Sequence, residues 1–147
     1  MNNENEETHI KDLLNRQVSA IRERNITEAT KNYAPDVLIY DVVGPLAHPK
    51  GQGSVKDRLQ QWFSSFQEGV KIEFELVDVS VSAGDSLAFS HSFNHVRAPL
   101  AKGGALDMYW RETLNWEKKD GEWKIAHAHS SVPFDPATGK ASTGLRP

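Results

Sequence analysis

The sequence predicts an α+β domain: helices near the N-terminus packed on one side of a strongly curved, cone-shaped antiparallel sheet. Three observations predict it. Apolar residues recur at the spacing of a helix face early in the chain, with Ile10, Leu13, Leu14, Val18 and Ile21 on one stripe. From Val70 onward the period changes to two, the mark of strands. The phase then slips: Val70, Ile72, Phe74 and Leu76 share one strand face, but Val77, Val79 and Val81 fall on the other. A bulge or sharp bend produces such a slip, and a bent sheet closed by helices becomes a cone with a mouth.

The elements follow in order. The first helix carries the Ile10–Ile21 stripe, with Gln17 on it seven residues after Ile10. "NITE" offers a capping box from Asn25 to Glu28, so a short helix should run to about Tyr33 before Pro35 stops it. "DVLIYDVVG" is β-branched and apolar on both faces, a buried strand ending near Gly44 and Pro45. After a loop rich in turn residues, Val55, Leu59, Trp62, Phe63 and Phe66 mark a third helix, with Ser54 as its expected cap. Four long strands follow. In the second, Leu87, Phe89, His91, Phe93 and His95 alternate, and in the third, Met108, Trp110, Glu112, Leu114 and Trp116 share an apolar face. "KKDGE" is a hairpin turn, the last strand begins at Trp123, and residues after Pro133 form an extended tail. No repeat or linker divides the 147 residues, which read as one domain with its core at about residues 8–134.

Composition narrows the function. The 38% hydrophobic and 25% charged content is that of a soluble globular chain. The net charge of −3, without a basic block, calls for neither a nucleic acid nor a membrane partner. There is no cysteine, which removes thiolate metal sites and nucleophiles and fits a cytoplasmic protein. "MNNENEE" is too polar and acidic for a signal peptide, and no apolar run approaches the roughly 20 residues of a membrane helix.

The informative residues are polar ones that break an apolar pattern, because burying an unpartnered polar group costs about 1–3 kcal/mol. Asp41, in phase with Val37, Ile39 and Val43, is either a general base raised by apolar surroundings or a strand-end cap. Glu112, between Trp110 and Leu114, is either a pocket acid or half of an ion pair with Arg111 or Lys124. Gln17 either turns its amide into the same cavity or flanks the helix stripe. His127 and His129 share one strand side, as do His91 and His95. With a carboxylate they could compose a two-histidine metal site, although no third close-spaced ligand or HExxH motif accompanies them. Arg111 lies on the opposite parity from Glu112, where it would bind a substrate carboxylate or point into solvent. Neither "GQGS" nor Ser130 and Ser131 form a phosphate loop or nucleophile elbow.

The order of elements, the Tyr33-Ala34-Pro35-Asp36-Val37 approach to the first strand and the closing "DGEWKIAHAHSS" resemble the SnoaL-like group of the nuclear transport factor 2 and ketosteroid isomerase superfamily. The resemblance covers about residues 8–134. The end, "ETLNWEKKDGEWKIAHAHSSVP", is also similar to the association domain of calcium/calmodulin-dependent protein kinases, a non-catalytic oligomerising hub. Ketosteroid isomerase pairs an aspartate base with a tyrosine and a protonated aspartate that hold the oxyanion. Against that pattern the resemblance puts Asp41 at the base, Glu112 near the protonated acid and Gln17 at the tyrosine. It also implies that Ala126, Ala128 and Ser130 face the cavity, with His127 and His129 on an outer face where family members dimerise. Hydrophobicity argues the reverse, because Trp123 and Ile125 share the histidines' parity.

The expectation is therefore a cofactor-free isomerase, cyclase or dehydratase for a small molecule, with Asp41, Glu112 and Gln17 as the catalytic set. Trp62, Phe63, Trp110, Leu114, Trp116, Arg111, His127, His129 and Ser130 are the expected ligand-binding residues. A homodimer is expected as well. The competing expectation is a non-catalytic ligand-binding or oligomerisation domain, and the third is metal-assisted chemistry.

Overall fold

The computed structural model describes residues 3–147, from the first helix to the C-terminus. The elements run α1 (Asn3–Arg22), α2 (Ile26–Ala29), β1 (Tyr33–Tyr40), α3 (Gln52–Ser64), β2 (Glu73–Ala83), β3 (Leu87–Pro99), β4 (Ala105–Lys119) and β5 (Glu122–Ser131). The strands form one open sheet in the order β1-β5-β4-β3-β2. All neighbours are antiparallel except β1 and β5, so the sheet is mixed. The α+β cone with helices on its concave side is as the sequence predicts.

Helix α1 buries Ile10, Leu14, Gln17, Val18 and Ile21, the predicted stripe with its glutamine included, except that Leu13 is only half-buried at its margin. The Asn25 side chain accepts from the Glu28 N–H at 3.1 Å, so α2 begins where expected. It ends at Ala29 rather than near Tyr33, because Thr30 leaves the helical conformation and turns its hydroxyl back to donate to the Ile26 carbonyl at 2.8 Å. Tyr33 is consequently already in β1. That strand accommodates Pro35 because it is an edge strand whose register with β5 breaks between Tyr33 and Leu38. It stops at Tyr40, earlier than predicted, and leaves Asp41 just past its end. Helix α3 is capped by Gly51 instead of Ser54: the backbone there has φ +118, and an added Cβ would meet the Pro35 carbonyl at 3.3 Å.

Two bulges shape the sheet. In β2 the register with β3 shifts between Val77 and Ser80, with Asp78 at φ +54, which is the predicted phase slip. In β5 the second shift leaves Ala126 unpaired, because Asn115 faces His127 while Trp116 faces Ile125. Trp123 and Ile125 before that residue, and Ala128 and Ser130 after it, are all buried on the concave side. One extra residue thus reconciles the hydrophobic pattern with the outward placement of the histidines that the resemblance implies. The strand keeps both apolar halves inside only by changing parity between them.

The alternation in β3 runs opposite to what residue size suggests. Leu87 and Phe89 are 65% and 48% exposed on the convex face, while Ala88, Ser90, Asn94, Val96 and Ala98 turn inward. Small side chains are needed there because tryptophans from β4 occupy the space, and Trp116 Nε1 donates to Ser90 Oγ at 3.0 Å.

The concave side divides along β4. Toward the β4–β5 turn, Leu114 and Trp116 join Ile10, Val37, Trp123 and Ile125 in a solid core. Toward the start of β4, Met108 and Trp110 are only half-buried and pack beside Trp62 and Phe74 around open space. Glu112 stands at the boundary between the two.

Candidate functional site

The open half of the cone holds a cavity of about 760 Å³ whose walls include Asp41, Glu112, Gln17, Trp62, Trp110 and Ser130. Leu59, Phe74, Leu76, Val96 and Met108 make most of the remaining surface apolar. Polar groups gather where the open half meets the solid one, and their hydrogen bonds can be followed from the protein interior outward.

One chain of bonds begins at a backbone carbonyl. Asn32 Nδ2 donates to the Leu13 carbonyl at 3.1 Å and to Gln17 Oε1 at 2.9 Å. A carbonyl can only accept, which fixes the orientation of the Asn32 amide and then that of Gln17. Gln17 must therefore present Nε2 outward, and it donates to the Tyr33 hydroxyl oxygen at 3.2 Å. The hydroxyl's own proton is left to point onward. Tyr33 lines the cavity, so the chain ends in an O–H donor beside it. Burial raises the Tyr33 phenol above its ordinary range, and the charge of Glu112 adds to the shift.

A second group surrounds Glu112. Asn94 Nδ2 donates to its Oε1 at 3.0 Å, and Ser130 Oγ to its Oε2 at 3.2 Å. Ser92 Oγ orients Asn94 by donating to its Oδ1 at 2.8 Å. Burial pushes the Glu112 carboxyl above the usual carboxylate range, the two hydrogen bonds oppose that shift and the Asp41 charge adds to it. An acid so placed holds its proton more tightly and can donate it to a ligand oxygen.

Asp41 also lines the cavity, just past the end of β1, in a setting nearer the strand-end alternative than the apolar one. Arg58 of α3 is ion-paired to its Oδ2, while Oδ1 accepts from the Val42 N–H at 2.7 Å. Both groups of the pair are about one-quarter exposed. The loop that carries Asp41 is pinned by His48, whose backbone N–H donates to the Ile39 carbonyl at 3.1 Å and which is buried against the cavity.

The expected site residues separate into two groups. Asp41, Glu112, Gln17, Trp62, Trp110 and Ser130 meet in the cavity. Phe63 does not; it is 2% exposed in the core beneath Trp62. Leu114 and Trp116 belong to the solid half of the sheet. Arg111 falls on the convex face, exposed, with Nε donating to Ser131 Oγ at 3.1 Å. The bulge at Ala126 sends His127 and His129 to the convex face as well, against Tyr40 at 4.8 and 5.5 Å between ring centroids. His127 donates Nδ1–H to the Leu38 carbonyl at 2.7 Å, across the β1–β5 pair. Among the described residues, no cluster of three or more histidine, aspartate or glutamate side chains is close enough to hold a metal ion. His91 and His129 both face Thr113 from opposite sides, two strands apart, or about 10 Å at ordinary strand spacing.

Tyr33, Arg58 and Asn94 also line the cavity and are not among the residues expected from sequence. Tyr33 sits in a "YAPD" turn-like run that reads as a helix terminus. Arg58 lies among charged residues that look solvent-facing. Asn94 falls on the parity of β3 opposite to its bulky neighbours, a parity that the size pattern assigns to the outside and the structure turns inward.

The family model of the SnoaL-like domain matches residues 10–135. Among solved structures, an NTF2-like protein of unknown function from Pseudomonas putida KT2440 is 28% identical, with a TM-score of 0.84 over 96% of each chain. A putative calcium/calmodulin-dependent protein kinase II association domain from Xanthomonas campestris is 20% identical, with a TM-score of 0.70 over 85% of this chain and 86% of its own. A ketosteroid isomerase-like protein from Erwinia carotovora atroseptica SCRI1043 is 20% identical, with a TM-score of 0.70 over 86% of this chain and 95% of its own. No curated protein matches the sequence. At such identities the last two show the fold alone.

Proposed function

We propose that this chain, which belongs to the SnoaL-like domain family, binds a small, largely apolar molecule bearing a carbonyl oxygen and moves a proton on it without a cofactor. The observation that carries the reading is the convergence of two oriented groups, the Tyr33 O–H and Glu112, in a cavity that Asp41 also lines. Asp41 takes a proton from the carbon next to the carbonyl, and the electron pair moves onto oxygen. Tyr33 and the Glu112 carboxyl, whose protonated form burial favours, hold the resulting enolate oxygen until the proton returns to carbon. Gln17 orients Tyr33 and does not itself face the oxyanion. Arg58 must yield part of its hold on Asp41, and a substrate group that competes for the guanidinium would free the base.

Hydrogen–deuterium exchange tests the reading. A panel of cyclic and aryl ketones incubated in D2O and followed by NMR should show deuteration next to the carbonyl in at least one member. Asp41→Asn should slow that exchange at least about a hundredfold, and Tyr33→Phe or Glu112→Gln about tenfold to a thousandfold. Ketones that bind, seen as a change in Trp62 and Trp110 fluorescence, but exchange at the uncatalysed rate would establish a binding module.

A second reading concerns assembly. Exposed Leu87 and Phe89 give the convex face an apolar strip, and the similar kinase association domain is named for assembly. This face is proposed to pair with a second copy of the chain. Light scattering should give a mass near twice 16.4 kDa, and Phe89→Asp should return it to the monomer value.

A further inference from the structure

We infer that residues 136–147 form a movable wall of the cavity, in which Ala141 and Thr143 touch the ligand and Arg146 is the clasp. The pairing of β4 with β5 begins only at Arg111 opposite Ser131, so the first residues of β4 have no strand on that side. The tail fills the place. It turns back on itself through Asp135 N–H donating to the Lys140 carbonyl and Gly139 N–H to the Asp135 carbonyl, both at 2.7 Å. Phe134 and Ala141 then form an antiparallel bridge. On the return, Ala141 and Thr143 border the cavity together with Leu106 and Met108. Three residues later the chain has reached the convex side of β4, where Arg146 Nη1 donates to Asp107 Oδ1 at 3.1 Å and the guanidinium lies 5.3 Å from the centroid of the Tyr109 ring.

The segment is built to open. From Phe134 to Pro147 every residue is exposed except Ser142, which is half-buried, so displacing the tail gives up little burial of its own side chains. Its far end is held through the Arg146 guanidinium, by an exposed ion pair to Asp107 and by contact with the Tyr109 side chain, which are individually weak. The SnoaL-like family model ends at residue 135, so the residues that make this wall are not among those the model describes.

The test needs no substrate and does not depend on the proton-transfer reading. Trp62 and Trp110 line the cavity, whereas Trp116 and Trp123 are 1% and 2% exposed, so acrylamide quenching reports access to the hollow. In the full chain, Arg146→Ala should raise the quenching constant about twofold at an unchanged urea midpoint, with Arg146→Lys between it and the parent. Stopped-flow binding of the neutral probe N-phenyl-1-naphthylamine should become several-fold faster in both directions. Thr143→Phe should weaken the same probe about tenfold while leaving quenching no higher than in the parent. Unchanged quenching in Arg146→Ala, or a rise that merely follows a lower urea midpoint across both arginine variants, would overturn the inference.

Discussion

Glu112 and Asp107 are carboxyls on the same strand and differ in every physical respect. Glu112 points to the concave side, where burial raises its pKa and two side-chain donors hold it. Asp107 points to the convex side, where Arg146 and then His95 lower it to about 2. One is an acid suited to keeping a proton, the other a fixed anion suited to tying down chain. The contrast extends to their neighbours: inside, the polar groups bond to one another around a hollow; outside, half-buried His95 lies between Glu75 and Asp107 at 3.1 and 2.7 Å, with both carboxylates exposed. In this fold the face of the sheet decides what a polar residue can do, and bulges decide the face.

The largest test of the two-face picture is packing. Trp116→Ala removes a fully buried ring from the solid half and leaves Ser90 without its partner, which should cost about 3–5 kcal/mol in urea denaturation. Phe89→Ala, on the same sheet but half-exposed, should cost less than about 1 kcal/mol in dilute protein. Equal losses would mean that the convex face is as buried in solution as the concave one.

A smaller effect probes the polarity of the bond chain. Gln17→Glu keeps the shape of the side chain but places an acceptor against Tyr33, so the hydroxyl proton turns back to position 17 and is lost to the cavity. Binding of a ketone ligand should weaken about tenfold, the worth of one hydrogen bond, as it should in Tyr33→Phe. Retained affinity in Gln17→Glu together with loss in Tyr33→Phe would show that the phenol acts without being oriented by its neighbours.

The fold was legible because its cues are local: the α1 stripe, the Asn25 cap, the phase slip in β2 and the turn at Asp120 and Gly121. The site was legible where a polar residue interrupted an apolar run, as Asp41, Glu112 and Gln17 do. It was not legible where the signal depended on another element. Nothing in "YAPD" says that Gln17 will meet Tyr33, or in the charged α3 that Arg58 will reach Asp41. The histidines show the limit most clearly. Trp123 and Ile125 argue correctly for their own side, and only the unpaired Ala126 prevents that argument from carrying through to His127 and His129.

Those two histidines should differ in turn. His127→Ala loses the Nδ1–H bond to Leu38 that ties β5 to the edge strand, at a cost of about 1 kcal/mol. His129, exposed beside Tyr40, should change stability by no more than about 0.5 kcal/mol. A reversal of that order would place His129 in an interface.

The mildest prediction concerns pH and returns to the two carboxyls. The folded chain binds the Glu112 proton more tightly than the unfolded chain does, so Glu112 contributes stability that is full below its ordinary value of 4.5 and is lost as pH rises through the higher folded value. Asp107 does the opposite: its contribution is full above 3.8 and is lost as pH falls toward about 2. Melting temperatures measured from acid to mildly alkaline pH should therefore separate the variants. Glu112→Gln should remove part of the decline on the high side of 4.5 and leave the acid limb alone, since its amide can still accept from Asn94 and meet Ser130. Asp107→Asn should soften only the acid limb, and it should raise acrylamide quenching too, because Arg146 loses its charged partner. A Glu112→Gln profile parallel to the parent's at every pH would mean that water reaches that carboxyl freely, and the inner face would then lack the dry acid that sets it apart from the outer one.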